Sequence, residues 1–228
     1  MVQALPLVLQ PTQGVEYLDP LFILAERQGS LTVATLNYDR TIEMLGELRS
    51  TSVSIGLSDS DSSGMSWPNG GIHLLKLHGS VDWRYVDQRR EVGFMPERRV
   101  RVDPTPETRG SALAVVFGER GKLRAEGPFL EIFRKFEDEL SEANELVVIG
   151  YSFRDEHVNE LVRRWLNAVS TRRVVVIDPY LSIQTTNPAY PSFVSQMFQS
   201  AGPGTPNQRV FLMQEPADIG LPKVIAPD

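Results

Sequence analysis

Cysteine is absent from the 228 residues, and histidine occurs only three times. The lack of cysteine excludes disulfides, a thiol nucleophile and every zinc or iron–sulfur site that needs thiolate ligands. No apolar run approaches the roughly 20 residues that a membrane-spanning helix requires, so we expect no membrane segment. The net charge of −6 disfavours a general nucleic-acid binder, because polyanions repel acidic surfaces. The first residues do not resemble a secretory signal peptide, which makes the cytoplasm the expected location.

The length and composition fit one globular domain over residues 1–228. Hydrophobic residues make up 41% of the chain and charged residues 23%, as in ordinary globular proteins with a sizeable core. Residues 84–127 are rich in Arg, Pro and Gly around one apolar island at 112–117. We interpret this segment as an insertion or lid, and residues 214–228 as a Pro-rich tail.

Buried strands alternate with amphipathic helices along most of the chain. The strands are predicted from the runs "LTVATL", "IHLLKL", "ELVVIG" and "RRVVVIDP", which are rich in the β-branched and aliphatic residues of doubly covered parallel strands. Apolar residues at helical spacing predict helices near 19–27, 129–140 and 155–168. This alternation predicts an α/β fold with a Rossmann-like, mostly parallel sheet and helices on both faces.

Polar groups follow four of the predicted strands, in the segments "TLNYD", "LHGS", "IGYSF" and "VIDP". Open parallel sheets bind ligands outside the carboxyl ends of their strands. We therefore expect these four segments to contain any ligand-binding residues.

Each of these segments also has a purely structural explanation. Asn37 and Asp39 lie where a strand gives way to a helix, and Asx side chains commonly cap a first helical turn. Ser152 and Asp155 have the spacing of a capping box, although a Gly-x-Ser before a helix can also bind phosphate. Asp178 precedes a proline, which is typical of a turn, but an acid at a strand end also suits ribose hydroxyls. Both kinds of explanation stay open at this point.

His78 follows the strand "LLKL" directly and is either a packed strand-end residue or a catalytic one. His73 precedes it by five residues and would point to the opposite face of a shared strand. With Asp82, the two histidines make a poor set of metal ligands, so we expect no metal. His157 is expected to face solvent.

The four segments, in this order, resemble the sirtuin-like NAD-consuming family, in particular its branch in prokaryotic anti-phage defence proteins. "TLNYD" is similar to the family's Thr-x-Asn-x-Asp segment, "KLHGS" to its catalytic His-Gly, and "GYSF" to its Gly-x-Ser. "VIDP" resembles the strand end near the adenine ribose. The resemblance runs from about Thr32 to Pro179. It implies that NAD is the substrate and that the activity is NAD glycohydrolysis, which yields nicotinamide and ADP-ribose.

The resemblance also implies roles for individual residues. In the first two segments, Asn37 would hold the ribose hydroxyls or the attacking water, and Thr35 and Asp39 would line the cofactor site, Asp39 near the nicotinamide amide. His78 would be the general base, and Gly79 would leave room for the substrate.

In the last two segments, the resemblance places Gly150 and Ser152 against the phosphates or the adjoining ribose, and Asp178 against the adenine ribose. The nicotinamide leaves as a neutral molecule from a cationic ring, so the site needs no strong acid. It needs a positioned nucleophile and a base, which amide and imidazole groups supply.

Two features depart from the family pattern. The zinc-binding cysteines of protein-deacetylating sirtuins are absent, so deacetylation is not expected. No Gly-Ala-Gly occurs in the chain, and 36 residues precede Asn37, so the amino-terminal part of the fold is expected to be missing. The alternatives to a complete enzyme are one half of a split enzyme, which would need a partner subunit, and a non-catalytic module that binds NAD, ADP-ribose or another protein. A homo-oligomer is equally compatible with the sequence.

Overall fold

The computed structural model describes residues 14–57, 65–88, 97–102, 113–115, 128–181 and 192–225. The chain divides into two compact units, Met1–Phe136 and Glu137–Asp228. The single domain expected over residues 1–228 stays a prediction, and each unit is described by itself.

The described residues of the first unit form a parallel and an antiparallel sheet with accompanying helices. Its elements are a 3-10 turn Glu16–Leu18, α1 Asp19–Gln28, β1 Ser30–Thr35, α2 Thr41–Arg49, β2 Val53–Ser54, β3 Gly71–Lys76, β4 Gly79–Gln88, β5 Glu97–Val102 and β6 Leu113–Val115. Helix α3, Phe129–Glu142, begins in this unit and ends in the second.

The parallel sheet of the first unit has the strand order β1-β3-β2. Ser30 pairs with Gly71 at one end of the β1–β3 ladder, and Thr35 pairs with Lys76 at the other. The carboxyl ends of β1 and β3 therefore lie side by side. The interior of β3 is apolar, and Ile72, Leu74 and Leu75 are fully buried. This burial on both faces explains the continuous apolar run that predicts the strand.

The antiparallel sheet has the order β5-β4-β6 and lies largely within residues 84–127. Strand β6 is the centre of the apolar island, where Ala114 and Val115 are buried. The sequence does not predict β5, since the run "ERRVRV" shows charged residues at most positions. Whether this region acts as a lid stays a prediction.

The second unit contains one parallel sheet with the order β7-β8-β9. Its elements are β7 Glu145–Ile149, α4 Glu156–Ala168, β8 Arg173–Ile177, α5 Ser192–Ala201, β9 Val210–Met213 and α6 Ala217–Ile225. Residues 145–149 of β7 align in parallel with residues 173–177 of β8. Helix α6 lies inside the segment 214–228 that the sequence presents as a tail.

The predicted fold class is confirmed: the chain is α/β with mostly parallel sheets, consistent with a Rossmann-like fold. In the described part of the chain, no helix is both long and apolar enough to span a membrane.

Candidate functional site

The loop after β1 and the turn after β3 are bonded to each other. The Leu77 amide donates to the Thr35 carbonyl at 3.0 Å, and the Val81 amide donates to the Tyr38 carbonyl at 2.9 Å. The Ser80 hydroxyl donates to the same Tyr38 carbonyl at 3.3 Å. These bonds fix the loop of residues 36–40 against the turn that contains His78.

The rings of Tyr38 and His78 lie next to each other, with centroids 6.4 Å apart and planes tilted by 30°. The His78 side chain is half-buried, whereas the neighbouring Asn37 is exposed. Burial of the Tyr38 hydroxyl raises the pKa of this phenol above its ordinary value, so the residue stays neutral near pH 7. The structure thus brings Asn37 and His78, the two predicted catalytic residues, into one neighbourhood.

Thr35 and Asp39 shape the loop from its two ends. The Thr35 hydroxyl accepts a hydrogen bond from the backbone amide of Asn37 at 3.1 Å. Asp39 Oδ1 accepts from the Thr41 amide at 2.9 Å, at the start of α2. Asp39 therefore satisfies one amide of the first turn of α2 from the position before the N-cap, which is Arg40. A role for this carboxylate toward nicotinamide stays a prediction.

Gly79 has a structural requirement that the sequence does not reveal. Its φ of +86° lies in the left-handed region, and a Cβ atom built on it would lie 2.3 Å from the Ala114 carbonyl oxygen. The space beside Gly79 is therefore occupied by the backbone of β6. The predicted role in making room for NAD is not tested by this geometry.

A fully buried lysine supports the loop of residues 36–40. The Lys76 side chain is 0% exposed, and its Nζ donates to Glu43 Oε1 at 2.7 Å. The same ammonium group donates to the Asp39 carbonyl. Lys76 thereby connects the end of β3 to both the loop and helix α2.

A second ion pair lies beside the first. Arg40 Nε lies 3.1 Å from Asp82 Oδ2, a distance typical of an ion pair, although the angle does not satisfy a hydrogen bond. Burial raises the pKa of the Glu43 carboxyl above its ordinary value and Asp82 adds to this, while the Lys76 charge opposes it. Each of the two acids thus faces a base, which suits a poorly solvated position, and Arg40 also lies 3.4 Å from the exposed Glu47.

In the second unit, a tight loop follows β7. Gly150 has a φ of +58°, and its amide donates to the Ile177 carbonyl of β8 at 3.2 Å. Phe153 also has a positive φ, +55°, and its side chain is buried. Between them Ser152 is exposed, so the loop presents its hydroxyl to solvent beside the carboxyl end of β7.

The capping box predicted for Ser152 and Asp155 is wrong. Asp155 is itself the N-cap of α4, with extended backbone, and its Oδ1 accepts from the amides of His157 and Val158 at 2.9 and 3.1 Å. Ser152 lies three residues before Asp155 and does not cap the helix. His157 is exposed, as predicted.

Asp178 directly follows β8 and forms the turn that its Asp-Pro sequence indicates. Its Oδ1 accepts from the amides of Tyr180 and Leu181 at 2.8 and 3.0 Å. The turn uses one of the two carboxylate oxygens. Contact of Asp178 with a ribose stays a prediction.

The model of the SIR2-like domain matches residues 31–198, most of the 228-residue chain. The chain belongs to the SIR2-like family. A comparison with curated proteins finds no match. The family match confirms the sirtuin-like resemblance and associates the chain with NAD, the substrate of SIR2-like proteins.

The matched range of the SIR2-like domain contains all eight predicted site residues. Within the first unit, Thr35, Asn37, Asp39, His78 and Gly79 lie around one loop and one turn. Within the second unit, the segments that contain Gly150 and Asp178 follow the adjacent strands β7 and β8. Among the described residues, no group of three or more metal-ligating side chains is found.

Sequence reasoning misses the roles of the buried Lys76 and Asn159 and of Glu43, the largely buried partner of Lys76. One signal was available for Lys76, because it interrupts the apolar run "LLKL" at a position where a doubly covered strand demands burial. Glu43 and Asn159 lie on amphipathic helices, where the sequence gives no sign of their partners.

Proposed function

We propose that this SIR2-like chain is an NAD glycohydrolase that acts in the cytoplasm as part of an anti-phage defence system. The observation that carries the proposal is the bonding between the loop that contains Asn37 and the turn that contains His78, with the ring of Tyr38 next to the ring of His78. The family match supports NAD as the substrate. The order of the four strand-end segments supports the defence branch.

The residues of the first unit fit the cleavage step. Water attacks C1′ of the nicotinamide ribose, the glycosidic C–N bond breaks, and its electron pair neutralises the positive ring nitrogen of nicotinamide. His78 accepts a proton from the attacking water, since imidazole takes up protons near neutral pH. Asn37 orients the water or the ribose hydroxyls through its amide, which both donates and accepts hydrogen bonds. The products are nicotinamide and ADP-ribose.

The residues of the second unit fit the ADP-ribose part of the substrate. The exposed Ser152 hydroxyl and the loop backbone at Gly150 suit phosphate oxygens, which accept hydrogen bonds. The Asp178 carboxylate suits the adenine ribose, whose hydroxyls donate. These roles rest on the resemblance and on the position of each residue at the carboxyl end of its strand.

A non-catalytic module that binds NAD or ADP-ribose is the second candidate. It is favoured by the structural uses of the predicted site residues: Asp39 and Asp178 accept backbone hydrogen bonds, and Gly79 accommodates a neighbouring backbone. Such a module would bind the nucleotide without releasing nicotinamide.

One experiment separates the two candidates. The purified chain is titrated with ADP-ribose by calorimetry and incubated with NAD, and nicotinamide is quantified by chromatography. The glycohydrolase binds ADP-ribose and releases nicotinamide, and Asn37→Ala lowers the release by at least about tenfold, as expected for loss of a positioning contact. Asn69→Ala, an exposed asparagine of the same unit, is the matched control and keeps wild-type turnover. Binding without release establishes the module instead.

The defence role has its own test. Bacterial cells that express the wild-type chain lose NAD after phage infection, whereas cells that express the Asn37→Ala variant keep it. Equal NAD levels in both strains after infection would refute this role without affecting the enzymatic assignment.

A further inference from the structure

Asn159 lies on α4 and is one of the few buried polar side chains in the described residues, with 5% of its surface exposed. Its Nδ2 donates to the Phe153 carbonyl at 2.7 Å, and its Oδ1 accepts from the Tyr151 hydroxyl at 3.0 Å. The orientation of the amide is determined by chemistry, since the Phe153 carbonyl can only accept and therefore must face the NH₂ group. One side chain thus contacts the residues immediately before and after Ser152.

The backbone at Phe153 requires such support. The left-handed region is unfavourable for a bulky residue, and Phe153 has a φ of +55°. Its ring packs against Tyr151, with centroids 4.6 Å apart, and against Phe193 of α5 at 6.1 Å. The hydrogen bond from Asn159 and the two ring contacts offset the unfavourable conformation. Strained residues held in this way are concentrated at functional sites.

Tyr151 provides the other fixed point of the loop. Its hydroxyl lies 3.1 Å from the Asp155 carbonyl as well as 3.0 Å from Asn159 Oδ1, so its hydrogen is shared between two acceptors. Burial and the nearby Asp155 raise the pKa of the Tyr151 phenol well above its ordinary value. The hydroxyl therefore remains a donor at all physiological pH values.

We propose that Asn159 is a positioning residue that holds the loop Gly150–Phe153 in the conformation in which Ser152 and its neighbouring amides meet the phosphates or ribose of the substrate. This proposal rests on the proposed function for the identity of the ligand. The effect of Asn159 on the loop conformation does not depend on the proposed function, because its hydrogen bonds to Tyr151 and Phe153 form within the chain.

The test compares Asn159→Asp with Asn167→Asp. Both residues lie on α4, and Asn167 is exposed, so the control makes the same change of charge on the same helix. Asn159→Asp replaces the NH₂ donor with an oxygen that faces the Phe153 carbonyl. Hydrogen exchange of the Gly150 amide, which donates to the Ile177 carbonyl at the start of the loop, accelerates at least about tenfold in Asn159→Asp, corresponding to about 1.4 kcal/mol of lost protection, and is unchanged in Asn167→Asp. Calorimetry shows ADP-ribose binding weakened by a similar factor in the first variant alone.

Tyr151→Phe keeps the test decisive if Asn159→Asp does not fold. It removes only the hydroxyl contact with Asn159, and a smaller acceleration of exchange and a smaller loss of affinity are expected. A folded variant whose loop exchanges at the wild-type rate, or whose ADP-ribose affinity matches that of the wild type, overturns the proposal. If the wild-type chain itself does not bind ADP-ribose, the proposed function fails, and the exchange rates alone then decide the role of Asn159.

Discussion

At the scale of single residues, Gly79 shows how a position beside a predicted catalytic histidine can be required by the fold. Replacement by alanine introduces two costs, a left-handed backbone and a Cβ atom 2.3 Å from the Ala114 carbonyl oxygen. Gly29 has a similar φ of +84° and no atom within 4 Å of its virtual Cβ. The two glycines therefore separate the conformational cost from the steric one.

We expect Gly29→Ala to lower the free energy of unfolding by about 1–2 kcal/mol, the cost of a left-handed alanine. Gly79→Ala should lose about 1–3 kcal/mol more, because the added methyl group overpacks against backbone. Urea denaturation followed by circular dichroism measures both variants. Equal losses in the two would show that the contact with Ala114 has no energetic consequence.

Glu43 is a second residue whose surroundings lead to a measurable effect. Burial raises its pKa in the folded chain above the value of 4.5 for a free side chain. The folded state therefore binds more protons than the unfolded state between pH 4.5 and the raised pKa. By linkage, the contribution of Glu43 to stability is greatest below pH 4.5 and falls as the pH rises through that window.

The prediction is a pH-dependent difference between the wild type and Glu43→Gln, in which the group cannot titrate. The unfolding free energy of the wild type minus that of the variant should decrease between pH 4 and pH 7. Urea unfolding at half-unit pH intervals measures it. A difference that is flat or rises with pH contradicts a raised pKa.

At the scale of elements, the Lys76–Glu43 pair connects β3, α2 and the loop between β1 and α2. Each partner alone would be a buried charge without its counterion, which destabilises folded proteins by about 3–5 kcal/mol. Lys76→Met and Glu43→Leu should each cost about this much in the free energy of unfolding. The double variant should recover most of the loss, since paired apolar replacements of buried ion pairs are often neutral.

The double variant also separates stability from function. It no longer donates to the Asp39 carbonyl, so the loop that contains Asn37 loses one of its supports. Thermal unfolding near the wild-type temperature, together with a nicotinamide release rate lowered at least about tenfold, is the expected combination. A double variant that is both stable and fully active would show that Lys76 only supports the fold.

The elements also show what the sequence can predict. Strands β1, β3, β7 and β8 are predicted by their apolar runs. In β3 and β8 burial on both faces explains the run, whereas the residues of β1 and β7 are at most half-buried. Strand β5 is not predicted, because most of its residues are charged and the local sequence gives no sign of its pairing with β4. The N-cap of α4 is Asp155 and not Ser152. Which polar residue caps the helix depends on the conformation of the whole preceding loop.

The buried polar contacts cannot be predicted from the sequence for a related reason. Lys76 and Glu43 are 33 positions apart, and nothing local to either residue indicates the other. The helical periodicity around Asn159 predicts which face of α4 is buried, but not which groups the Asn159 side chain contacts. The predicted site residues were found through short strand-end motifs, whereas the side chains that support those motifs depend on long-range packing.

At the scale of the whole molecule, the chain combines two compact units, each with a parallel sheet of three strands. The SIR2-like match extends over parts of both. Each unit places its predicted site residues in the segments that follow its parallel strands, the position at which open α/β sheets bind ligands. The net charge of −6 does not attract an anionic dinucleotide, so local groups at these strand ends must provide the affinity.

The most direct test of the account is the rate of nicotinamide release from NAD by the wild type, His78→Ala and His73→Ala. His73 lies on β3, before the turn that contains His78. Its Nε2 is 2.9 Å from the Pro68 carbonyl oxygen, and it serves as the matched control. We expect release by the wild type, a decrease of about 10²-fold or more in His78→Ala, and near wild-type release in His73→Ala. Undiminished release by folded His78→Ala, or no release by a wild-type chain that binds ADP-ribose, would contradict it.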